Sequence, residues 1–174
     1  TTTDQGVKDL LRELAPLGIY MTETSKNIVE NKVENDHLYL LAQTARIANL
    51  LRVQRIQYTD GDRIITAAVH FPEDLREIAR SADELTTDKK SYLGFIRTPE
   101  DYLSHHAALL FTELHANRLY SEAFAMPLDI GSTAHAMSVD VLQEIIRRSP
   151  QMEPVSFPHP KWLIIAKQME AKIK

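Results

Sequence analysis

His105, His106 and His115 fall close to Glu113 and Glu122, and this is the chain's nearest approach to a metal-ligating set. Ligands carried by one helix must stand three or four residues apart to share a face. No two of these histidines have that spacing, only Glu113 lies near, and His115 to Glu122 is a step of seven. They read as exposed or core-edge histidines, and no metal is expected. Asp60 and Asp62 flank Gly61 and could be taken for a carboxylate pair. Their place before a helical stretch makes Asp60 an N-cap and Asp62 a first-turn anion, a better account than catalysis. Nucleophilic chemistry has no support. There is no cysteine and no Gly-x-Ser-x-Gly, and the five glycines build no phosphate-binding loop. The chain reads as non-enzymatic, with no cofactor and no small-molecule substrate.

The elements that carry these residues are helical. Hydrophobic residues make up 44% of the 174, enough for a core. Without cysteine the chain offers neither disulfides nor thiolate metal sites, and a reducing, intracellular compartment is the default expectation. No apolar run approaches the roughly 18–20 residues that span a bilayer, and Thr1-Thr2-Thr3-Asp4-Gln5 does not read as a secretory signal. Twenty Lys and Arg stand against 24 Asp and Glu, a net charge of −4. That balance counts against a free nucleic-acid-binding domain, so the placement of the cations has to decide.

Strand signals are poor and the expected class is all-α. Leu10, Leu11 and Leu14 mark a first helix over about Val7–Ala15, ended by Pro16 and Gly18. Asn27–Val33 reads as a short helical piece behind Thr24-Ser25. From Asp36 to Ile56 the residues Leu38, Leu41, Ala45, Ala48 and Leu51 recur at three- and four-residue steps, which predicts a central helix. A short helix, Gly61–Phe71, follows Asp60. Pro72 then starts another at once, with Leu75, Ile78, Ala82 and Leu85 on one face. Thr86–Ser91 is the best linker. Beyond it the order returns: a long helix over about Asp101–Met126, a loop with Pro127 and Gly131, a serine cap at Ser138, and a short helix Val139–Arg148. Trp162-Leu163-Ile164-Ile165-Ala166 suggests an added C-terminal helix.

This order resembles two histone folds in one chain. Val7–Pro16 with Gly18-Ile19, Ser25-Lys26, Asn35-Asp36, Ile64–Val69, Pro72 and Leu75 are similar, in order and spacing, to histone 2B. His106–Leu110, Leu114-His115-Ala116 and Met137–Arg148 are similar to histone 2A, with a first helix shortened to about Thr98–Leu103. Arg147-Arg148-Ser149-Pro150 replaces that family's acidic cluster. A 2B–2A fusion without long basic tails resembles a miniature form of the histone doublets of large DNA viruses of the marseillevirus type. The resemblance implies residues 1–88 as a 2B-like unit, 89–150 as a 2A-like unit and 151–174 as a docking extension. The two long helices would cross in an intramolecular handshake.

The implied function is packaging of viral double-stranded DNA in nucleosome-like particles, in the virion and in the host nucleus or viral factory. Histone folds grip phosphates with helix N-termini and loop cations, without base specificity. Arg12, Ser25, Lys26, Arg55, Thr59, Arg63, Arg97 and Thr133 are the candidate DNA contacts, with Lys89 and Lys90 alongside. The second loop of the 2A-like half, Gly131–His135, is poor in cations. A chain of charge −4 would need a more basic histone 3–4-type partner to hold DNA firmly. The other class the residues allow is a histone-fold protein-interaction module in an assembly or transcription complex, with little DNA affinity of its own.

Overall fold

The computed structural model describes residues 32–85, 88–103, 106–152 and 158–174. In chain order they form α1 (Lys32–Leu51), β1 (Arg55–Tyr58), α2 (Gly61–His70), α3 (Pro72–Leu85), β2 (Ser91–Gly94) and α4 (Pro99–Leu103). Then follow α5 (Ala107–Phe124), β3 (His135–Ser138), α6 (Val139–Arg148), a 3-10 turn (Ser149–Gln151), α7 (His159–Gln168) and β4 (Lys172–Ile173). Among the described residues no helix is long and apolar enough to cross a membrane. The segments expected at Val7–Ala15 and over most of Asn27–Val33 lie outside the described residues.

The four strands overturn the all-α expectation and the handshake of histone folds with it. They make one mixed sheet in the order β1-β3-β2-β4. β1 runs antiparallel to β3 with Arg55 opposite Ser138 and Tyr58 opposite His135. β2 is antiparallel to β3 and parallel to β4. The physical reason is length. Strands of four, four, four and two residues are too short to show a period of two above the helical pattern around them. Arg55-Ile56-Gln57-Tyr58 does alternate, but half of it reads as the tail of the long helix. Ser138 stands at the N-cap position of α6, yet its hydroxyl accepts from the Ser91 amide at 3.3 Å and is engaged by the sheet.

The long helix stops at Leu51 rather than Ile56 because the chain turns left-handed at Arg52 (φ 55°). The Val53 amide reaches back to the Ala48 carbonyl at 3.0 Å, a Schellman stop without the usual glycine. Ala125 and Glu170 end α5 and α7 in the same way.

The core sits where α1, α6 and α7 meet the sheet. Leu41 and Ala45 of α1, Val141, Leu142 and Ile145 of α6, Trp162, Ile165 and Ala166 of α7, and Tyr92 and Met137 of the sheet form one buried cluster. α1 therefore packs on α6, not across α5 as a handshake requires. α6 is strongly two-faced, with Val141, Leu142 and Ile145 inward and Arg147 outward. Ala82 of α3 joins Leu93 and Ala136 in a smaller cluster that ties α3 to the sheet.

Candidate functional site

Antiparallel pairing brings Tyr58 at the end of β1, His135 at the start of β3 and Gly94 at the end of β2 to one pole of the sheet. α1 contributes His37 there, and α7 contributes His159 and Trp162. His37 Nδ1 and the Tyr58 hydroxyl share a hydrogen bond of 2.5 Å, and His135 Nδ1 and the Tyr92 hydroxyl share one of 3.0 Å. The His159 ring lies between the other two imidazoles, 5.6 Å from His37 and 4.9 Å from His135, and 4.6 Å edge-on from Trp162.

Burial sets the protonation of this cluster. It pushes His135 down to about 4, against smaller upward pulls from a hydrogen bond with the Ser132 backbone and from the Asp129 charge. His159 falls to about 2, through burial first and then the neighbouring His135 and His37. Tyr58 rises to about 12 by burial and the Asp60 charge, and burial alone raises Tyr92. At neutral pH His135, His159, Tyr58 and Tyr92 are uncharged, and His135, His159 and Tyr92 are buried. The concavity beside His135 and His159, also lined by Tyr92, Gly94, Asp129 and Leu163, has a volume of only ≈ 20 Å³. That is room for about one water molecule. A larger groove of ≈ 460 Å³, lined by Lys90, Asp140, Glu144, Arg148 and Glu170, lies open on the surface.

Beside the cluster sits a buried ion network. The Arg97 side chain is 3% exposed and that of Asp129 0%. Arg97 donates from Nε to Asp129 Oδ2 at 2.8 Å, from Nη2 to Oδ1 at 2.8 Å and from its own amide to Oδ2 at 3.1 Å. Nη2 also reaches Glu113 at 2.7 Å, and the guanidinium lies 4.5 Å over the Tyr102 ring. Asn117 donates to Asp129 and to the Tyr102 oxygen and accepts from the Ile130 amide. Burial pushes the Asp129 carboxyl up, but the hydrogen bonds and charge of Arg97, with Tyr102, outweigh it and hold it at about 2. Gly131 is required here, since a Cβ would run into the Arg97 guanidinium.

The expected DNA contacts do not form one described surface. Arg12, Ser25 and Lys26 lie outside the described residues, as does the side chain of Arg63. Arg55 and Thr59 are half-buried at opposite ends of β1. Arg97 is enclosed by Asp129 and Glu113. Thr133 lies near it, since the Phe95 amide bonds the Ala134 carbonyl, and its Oγ1 is buried without a hydrogen-bond partner. Lys89 and Lys90 are exposed.

Of the residues weighed for metal, His106 is exposed and accepts from the Ala108 amide at the start of α5, and His115 is exposed. Glu113 holds Arg97 and Glu122 holds Arg118. His105 is outside the described residues. Among the described residues no group of three His, Asp or Glu is placed to hold a metal ion. The cluster of His37, His135 and His159 escaped sequence reasoning because three separate elements supply it and no spacing links them. The one available signal was that all three stand in or beside apolar stretches.

Comparisons of the chain with protein-family models, with curated proteins and with solved structures found no match.

Proposed function

We propose that the chain is a non-enzymatic protein-interaction module that assembles through its outer helices and has little affinity of its own for DNA. α5 carries this reading. Its apolar residues are spread around the helix rather than gathered on one inward stripe, so burying one face leaves others in solvent. Here its inward residues include Glu113, Asn117 and Ser121, which serve the ion network and the following loop. Leu109, Phe111, Leu114 and Leu119 are left exposed, Phe111 by 73%. α2 does the same with Ile64, Ile65 and Val69, followed by Phe71. Contiguous exposed apolar surface on a protein marks a place where another molecule sits.

The competing proposal is non-sequence-specific packaging of DNA beside a histone 3–4-type partner. One observation favours it: Arg46, Arg52 and Arg55 in a stretch without carboxylates. Nuclease protection of duplex DNA, with and without a histone 3–4 tetramer and across salt concentrations, separates the two. The module reading predicts no footprint beyond that of the tetramer alone. A protected length that appears or grows on adding the chain would overturn it.

A further inference from the structure

From His37 to Thr59 the chain has no aspartate or glutamate, and three arginines. Arg46 and Arg52 are exposed at the end of α1, and Arg55 is half-buried on β1. Between them stand Leu50, 81% exposed, and Leu51 and Val53, also exposed. The α2–α3 hairpin is the opposite in charge. Ile65 and Val69, one turn apart and each 66% exposed, lead to the exposed Phe71. α3 then carries Glu73, Asp74, Glu77, Asp83 and Glu84 against Arg76 and Arg80. Arg76 is bound by Glu73, and Arg80 lies 4.0 Å from Glu84, so the surplus negative charge near Phe71 rests on the exposed Asp74 and Glu77.

We infer that the basic, apolar end of α1 and β1 in one copy docks on the acidic, apolar α2–α3 hairpin of a second copy. This rests on the module reading and names the partner for one of its surfaces, α2. Burying Leu50, Leu51 and Val53 against Ile65, Val69 and Phe71 supplies the drive. The arginines opposite Asp74 and Glu77 choose partner and register, because like-charged surfaces repel. The two surfaces differ, so the contact either forms twice around a two-fold axis in an isologous dimer or repeats head to tail as a ring or a chain.

Sedimentation velocity on the full chain tests this, with far-UV circular dichroism confirming that each variant is folded. The wild type should associate as concentration rises. Arg46→Glu with Arg52→Glu, and separately Asp74→Arg with Glu77→Arg, should each weaken association by about tenfold or more. An equimolar mixture of the two variants should recover it as a complex with equal shares of both, because each keeps one native surface and their reversed surfaces match. Misfolding cannot produce that recovery. A wild type that stays monomeric, or a mixture no heavier than its parts, overturns the inference. If the nuclease test then also shows no footprint, the module reading stands with a different partner. A DNA footprint abolished by Arg46→Glu with Arg52→Glu overturns both.

Discussion

The pole of the sheet and the outer helices α2 and α5 use the same residue types in opposite ways. At the pole, charged and polar groups are sealed: Arg97 and Asp129 lie inside, and each is met by several hydrogen bonds. On the outer helices leucine, isoleucine and phenylalanine face outward. α5 belongs to both regions. Its inner side binds the ion network through Glu113 and Asn117, and its outer side presents Phe111 and Leu119. A buried ion pair gives modest net stability and strict geometry. Apolar residues left outside lower stability little when changed and are free to serve a partner. The contrast separates what holds the fold from what the fold offers.

Removing one partner of the sealed pair should break the contrast most strongly. Asp129→Ala strands the Arg97 guanidinium and should cost about 3 to 5 kcal/mol in urea unfolding. Truncating the fully buried Leu142 to Ala should cost about 2 to 5 kcal/mol, whereas Leu119→Ala on the outer side of α5 should stay within about 0.5 kcal/mol. Equal losses at the two leucines would show that α5 is covered within the monomer.

Acid gives the next effect. His135 titrates at about 4 in the folded chain and near 6.5 when unfolded. Its folded pKa is depressed, so the protein is favoured in full above pH 6.5 and loses that stability as pH falls from 6.5 toward 4. The loss is roughly 3 kcal/mol. Urea midpoints measured across that range should fall, and His135→Gln should flatten the slope. The smallest change is a gain. Ala125 is left-handed (φ 55°) at the end of α5, where glycine has no steric penalty, so Ala125→Gly should stabilise by about 1 kcal/mol in thermal unfolding.

Much of the helical framework was legible. Pro72 marks the start of α3 because its ring suits a first turn, and Val139–Arg148 stands out because its apolar residues keep one face. Leu38, Leu41, Ala45 and Ala48 do line the inner side of α1. The end of that helix was not legible, since Arg52 takes the turn that a glycine would have announced. The sheet was hidden by strand length, and with it which face of each helix is covered: Leu103, Phe111 and Leu114 are exposed. Those leucines and Phe111 have helical spacing, but the sheet packs α1, α6 and α7 instead and leaves them exposed. Arg97 looked like a loop cation. Its burial depends on Asp129, 32 positions away, and spacing cannot report such a pairing.

Hydroxyl-radical footprinting with mass spectrometry, read at Phe71, Leu50 and Trp162 across a dilution series, tests the central claim most directly. Phe71 and Leu50 should react freely when dilute and become protected together as concentration rises. Trp162, fully buried in the core, should stay protected throughout. Phe71 and Leu50 reacting equally at every concentration, or Trp162 reacting as they do, would contradict the account.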